Sequence, residues 1–132
     1  MELIRITPDK QRAKNILNMI ALLEKRILLQ DTKTMSSLIL ADYYEIIKEL
    51  ITGILFVDGY KTLSHKYLFE YLSANYKDFS SNELSLLDDL RILRNRIAYE
   101  GFNAPSIYLE RNKESFKGVI KKLKSVLENK VK

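Results

Sequence analysis

Between Met35 and Leu55 the chain places Met35, Leu38, Leu40, Tyr43, Tyr44, Ile47, Leu50, Ile51, Ile54 and Leu55 at helical spacing, and confines Asp42, Glu45, Glu49 and Thr52 to a narrow polar strip. A helix apolar around most of its circumference is stable in water only when other elements cover it. That segment demands a surrounding layer, and a chain of 132 residues can build one core but not two. One domain over residues 1–132 is therefore expected. Asp58-Gly59 closes the segment, because glycine takes the left-handed conformation that a helix C-terminus often needs.

The covering layer also reads as helical. Thr7-Pro8 fits an N-cap followed by proline at the first helical position, and Ala13, Ile16, Leu17, Ile20, Leu23 and Ile27 recur at spacings of three and four to about Gln30. Thr62 is placed to cap a third helix carrying Leu63, Tyr67, Leu68, Tyr71 and Leu72 to about Tyr76. Ser80-Ser81-Asn82-Glu83 reads as a capping box that opens a fourth helix. After Gly101 the segment Phe102 to Pro105 breaks the chain, and from Ser106 helical spacing resumes with Leu109, Phe116, Ile120, Leu123 and Leu127. No run alternates with period two for long enough to read as a strand. The expected fold is all-α, an antiparallel four-helix bundle with one additional short helix.

Composition narrows the chemistry. Cysteine is absent and histidine occurs once, which excludes disulfides and thiolate zinc and leaves no basis for a histidine-built metal site. No metal or other cofactor is expected. The opening MELIRITPDKQRAK carries charges throughout, and apolar runs such as Ile54 to Val57 are too short to span a bilayer, so a cytoplasmic protein without membrane contact is expected. A formal charge of +5 suits a polyanionic partner, whose counterions clustered lysine and arginine would release. Glu110, Glu114 and Glu128 among the C-terminal lysines read instead as a solvated face of mixed sign. There is no glycine-rich phosphate loop and no nucleophile elbow.

The fourth helix ends in polar residues that core packing does not call for. At about 100° per residue, Leu86, Leu90, Leu93 and Ile97 form one stripe expected to face the core, and Asp88, Arg91, Asn95 and Tyr99 form a second on the far side. Arg94 falls between them, beside Leu87. A guanidinium at the edge of an apolar face keeps its charge and needs a carboxylate, a carbonyl cluster or a phosphate. Within the chain, Glu45 or Glu49 could serve. Asp88 and Asp89 diverge by about 100° on a helix, so they read as partners for Arg91 and Arg96, or for another subunit, and not as a catalytic dyad. Thr52-Gly53 marks the close approach of another helix, such as that of a dimer mate.

The stretch LRNRIAYEG, Leu93 to Gly101, late in a small all-helical chain, resembles the HEPN family (higher eukaryote and prokaryote nucleotide-binding domain). The likeness covers nearly the whole chain in helix number and order. Members often carry an arginine, frequently followed by asparagine, and a histidine a few residues on. In active members this pair cuts RNA without a metal. Many are dimers whose two motifs line one cleft, and many are toxins whose antitoxin is a minimal nucleotidyltransferase. The resemblance places Arg94 at the motif arginine and Asn95 at the residue after it.

Tyr99 stands where the histidine is expected. Imidazole accepts and returns a proton near neutral pH, whereas a phenol with an unperturbed pKa near about 10 is a poor base there. The lone His65 lies on the third helix, outside any arginine–histidine spacing, and reads as a partly exposed helix residue. Three readings stay open. Arg94, Asn95 and Tyr99, with Arg91 beside them, bind RNA or a nucleotide, with arginine on phosphate and tyrosine stacked on a base. Alternatively, Tyr99 replaces histidine in slow cleavage. In the third reading, Arg94 and Asn95 satisfy backbone carbonyls of residues 101–105 and Tyr99 packs. The function expected is RNA- or nucleotide-directed, of toxin or defence type, through a degenerate ribonuclease motif that binds more than it cleaves. A homodimer is expected because the second helix exposes more apolar surface than one bundle covers. The rival is a non-catalytic helical dimer module that partners a nucleotidyltransferase antitoxin.

Overall fold

The computed structural model describes residues 3–132. In chain order the elements are β1 (Leu3–Arg5), α1 (Lys10–Leu28), α2 (Ser36–Asp58), β2 (Tyr60–Thr62), α3 (His65–Asn75), α4 (Ser81–Glu100) and α5 (Ser106–Lys130). The molecule is mostly helical, and α2 is its buried axis. Ile39, Leu40, Tyr44, Ile46, Ile47, Leu50, Ile51, Ile54 and Leu55 are almost wholly removed from water. Helices α1 and α5 cover α2 most extensively, and α4 and α3 also pack against it. At roughly 1.5–3 kcal/mol for each large apolar side chain, this burial is the main favourable contribution to the fold.

Local signals set most boundaries. Gly59 and Gly101 both adopt positive φ, 92° and 67°, and stop α2 and α4. The capping box is formed, with the Glu83 amide donating to Ser80 Oγ at 3.1 Å and the Ser80 amide donating to Glu83 Oε1 at 2.9 Å.

Two starts differ from the sequence reading. Asp9, not Thr7, caps α1, its carboxylate accepting from the Arg12 amide at 2.9 Å. The chain stays extended up to that point because Ile6 and Asp9 donate to the carbonyls of Gly59 and Phe56, each at 2.9 Å. Ser64, not Thr62, caps α3. Thr62 lies in β2, and Leu63 is exposed instead of helical. The strands themselves correct the strand-free expectation: β1 and β2 pair antiparallel with Leu3 opposite Thr62 and Arg5 opposite Tyr60. Three residues per strand are too few to display an alternating pattern.

Extended residues 60–64 run back along α2, so α3 begins level with Tyr44, whose hydroxyl meets His65. It ends level with Asp58, where the hydroxyls of Tyr71 and Tyr76 donate to Oδ2 at 2.7 and 2.6 Å. Helix α3 therefore runs in the same direction as α2, a departure from a purely antiparallel arrangement.

Two further expectations are corrected by packing. A Cβ on Gly53 would lie 2.9 Å from Leu127 Cδ2 and 3.5 Å from Ile16 Cδ1, so the close neighbours are α5 and α1 of the same chain and not a second subunit. Nor does α2 leave a large apolar face uncovered, since Leu38 is its only exposed large apolar residue. Four exposed apolar residues, Met19, Leu22, Leu28 and the C-cap Leu29, lie on α1.

Candidate anion-binding site

The leucine stripe of α4 does face the core, but the helix is turned about half a residue step further than that stripe suggested. Leu87 and Leu90 are fully buried, whereas Leu86, Leu93 and Ile97 are only partly so. The inward line is thus Leu87, Leu90, Arg94 and Ile97, and Arg94 sits on it, half-buried, one turn beyond Leu90. This rotation carries the guanidinium onto α2. Its Cζ lies 5.6 Å from the ring centre of Tyr44, and on the outer side 5.8 Å from that of Tyr99. Aromatic faces attract a guanidinium without neutralising it.

Arg94 has no acidic partner among the described residues. Lys48 holds both glutamates expected for it, with Nζ 2.9 Å from Glu45 Oε2 and 3.3 Å from Glu49 Oε1. Among the described residues, the hydrogen bond made by Arg94 is a long one, from Nη1 to Asn95 Oδ1 at 3.4 Å. The loop after α4 makes no use of Arg94 or Asn95 either. Gly101 and Phe102 donate to the Arg96 carbonyl, Ser36 Oγ donates to the Ala104 carbonyl at 2.8 Å, and the Ala104 amide donates to Ser37 Oγ at 2.8 Å. The reading in which Arg94 and Asn95 satisfy carbonyls of residues 101–105 is therefore corrected.

Around Arg94, Arg91 donates from Nε to Asp88 Oδ1 at 2.9 Å, as helix spacing suggested. Arg96 goes elsewhere, with its Cζ 3.9 Å from the centre of the Phe102 ring and Nε at 4.0 Å from Glu100, leaving Asp89 without it. Tyr99 is 77% exposed, so its ring offers a free face beside the guanidinium.

The histidine placed outside the motif joins this group. His65, the first residue of α3, has Nδ1 3.0 Å from the Tyr44 hydroxyl, with ring centres 5.8 Å apart. Tyr44, 1% exposed, thus contacts both His65 and Arg94. Burial lowers the His65 pKa, and the positive charges of Lys48, Arg94 and Arg91 lower it further. Burial also pushes the Tyr44 hydroxyl up to about 12, outweighing Arg94 and Arg91, so it stays protonated at neutral pH. Among the described residues no buried side-chain nitrogen or oxygen lacks a partner. Nε2 of His65 has no hydrogen-bond partner and so reaches solvent. The unbonded N–H groups of the Arg94 guanidinium do the same. No local pattern announces this grouping, because Tyr44 and His65 are 21 residues apart in sequence.

A groove of about 580 Å³ runs between α1 and α5, and a second cavity of about 290 Å³ lies beside Tyr60, Tyr67 and Tyr71, and neither touches Arg94. Among the described residues no three histidine or acidic side chains cluster to hold a metal, and no helix is long and apolar enough to cross a membrane. In comparisons with known proteins the chain matches no family model, no curated protein and no solved structure.

Proposed function

We propose that this chain is an RNA- or nucleotide-directed protein of toxin or defence type, a four-helix bundle of the HEPN kind with one short added helix, acting in the cytoplasm. The observation that carries this reading is an arginine held between two tyrosine rings with no acid to neutralise it. A half-buried guanidinium without a carboxylate presents its free N–H groups to an external anion, and phosphate matches its fork geometry. Tyr99 supplies an exposed ring on which a base stacks, Asn95 orients the phosphate or base, and Arg91, held by Asp88, flanks them as a further donor. Phosphate, ring and charge together describe single-stranded RNA better than a protein partner.

Arg94→Ala tests the reading. With the fold intact by circular dichroism, binding of a short single-stranded RNA should weaken, and the slope of log K against log salt should fall by about 1. Unchanged affinity and slope would remove this face from the function. The rival has its own observation in Met19, Leu22, Leu28 and Leu29, exposed along α1. In that reading the chain is a non-catalytic dimer module that docks a nucleotidyltransferase antitoxin, and its complex survives Arg94→Ala.

A further inference from the structure

The groove between α1 and α5 keeps an unused hydrogen-bond donor at its floor. Tyr43 is only 4% exposed, and its hydroxyl makes no hydrogen bond among the described residues. Because no buried side-chain oxygen there lacks a partner, that hydroxyl opens into the groove that Tyr43 lines. We infer that this groove is a small-molecule site for an amphipathic anion, a carboxylate head on an acyl or aromatic body, with Tyr43, Lys117 and Lys121 holding the head. The site is separate from Arg94 and does not depend on the RNA reading.

Three helices build it. Ile27 and Leu28 of α1 and Ile120 of α5 supply apolar walls around Tyr43 of α2. The volume of about 580 Å³ falls within the roughly 300–1,000 Å³ of sites that enclose a small molecule between apolar walls and a few converging polar groups. The Tyr43 ring packs on Phe116, with centres 5.6 Å apart, which fixes the direction of its hydroxyl. Burial, with Glu114 and Glu24 nearby, raises the Tyr43 pKa, so the phenol keeps its proton and donates.

The charges along the groove favour an anion at one end. Its lining holds three lysines against two glutamates. Lys124 is committed to Glu24 at 3.0 Å, a bridge that joins α5 to α1, and Lys117 stands 3.5 Å from Glu114 in a solvated pair. Lys121 has no acidic partner among the described residues. Phe116, against which Tyr43 lies, directly precedes Lys117, so the phenol and these two lysines share one end. Glu128 lies two turns beyond Lys121, about 10 Å along α5, and repels an anion from the other end. A carboxylate at the Tyr43 end accepts from the phenol and from an ammonium group, and its apolar body covers Ile27 and Ile120.

Calorimetric titration of the full chain with decanoate, decanol and decylamine, each below its micelle-forming concentration, tests the head group. Decanoate should bind one to one and more tightly than the other two. Tyr43→Phe and Lys121→Gln should each weaken decanoate roughly tenfold and affect decanol less, while Arg94→Ala should leave decanoate binding unchanged. If Tyr43→Phe does not fold, the exposed Lys121→Gln carries the comparison. Equal affinity for the three compounds, or decanoate binding untouched by the substitutions in the groove, overturns the anionic head. Loss of decanoate binding in Arg94→Ala, or no saturable binding of any of the three, overturns the site, and none of these results bears on RNA binding at Arg94.

Discussion

The Tyr44 hydroxyl and Nδ1 of His65 lie 3.0 Å apart, tying a buried phenol of the central helix to the first residue of α3. Because the folded pKa of His65 lies below its unfolded value of 6.5, the unfolded chain binds this proton more readily. The contribution of His65 is thus fully present above the unfolded pKa and is lost as pH falls through the folded one. Urea midpoints at about pH 7.5 and about pH 5 should show a loss in wild type that is smaller in His65→Asn. Equal losses would mean that the contact does not depend on the proton.

Asp58 predicts an acid limb. Burial raises its pKa, but hydrogen bonds from Lys130, Tyr76 and Tyr71 outweigh burial and bring the net value below 3.8. Its stabilising effect is present above that value and disappears as pH falls through the folded pKa. Asp58→Asn should cost about 1–3 kcal/mol at neutral pH by chemical denaturation. It should also flatten the loss of stability below about pH 4.

The pair between Arg26 and Asp42 is two-pronged, from Nε to Oδ2 at 3.0 Å and from Nη2 to Oδ1 at 2.7 Å, with Gln30 also donating to Oδ2. Asp42 is, with Ser36, one of two buried polar residues among those described. Arg26 is itself largely exposed, so Arg26→Ala, which leaves the Asp42 carboxylate with Gln30 alone, should lower the urea midpoint modestly without changing the slope of the transition. An unchanged midpoint would place this pair among ordinary surface ion pairs.

Gly59 and Gly101 separate strain from crowding. Both have positive φ, but a Cβ at Gly59 would lie 3.2 Å from the Ile6 carbonyl oxygen, while one at Gly101 meets nothing within 4 Å. Gly101→Ala should cost about 1–2 kcal/mol from conformation alone, and Gly59→Ala more than that. Thermal denaturation of the two variants gives the order.

Tyr99 is nearly free of the core, so its removal should leave stability unchanged. If a base stacks on it, Tyr99→Ala should reduce RNA affinity by about 1–3 kcal/mol. Unchanged affinity would confine recognition to Arg94 and its polar neighbours.

Much of the helical plan was legible. The α2 boundary at Gly59, the capping box of Ser80 and Glu83 and the stop at Gly101 each depend on residues within one turn of the helix end, so sequence spacing exposes them. The start of α1 was misplaced because Thr7-Pro8 is held extended by carbonyls on α2, partners roughly fifty residues away. The site was half legible. Arg94, Asn95 and Tyr99 stand together on α4 as read, but the leucine pattern put the centre of the core face about half a residue step away from where Leu87 and Arg94 place it.

What the sequence determined by itself is the presence of a helix too apolar to stand alone, the caps that bound its companions, and an arginine that needs a counter-charge. Only the tertiary structure decided where that counter-charge was withheld. Lys48 takes Glu45 and Glu49, the inward turn of α4 lays Arg94 on Tyr44, and the returning segment 60–64 delivers His65 to the same ring. Caps and periodicity involve neighbours along the chain, whereas these meetings follow from how whole helices pack, which no local spacing encodes.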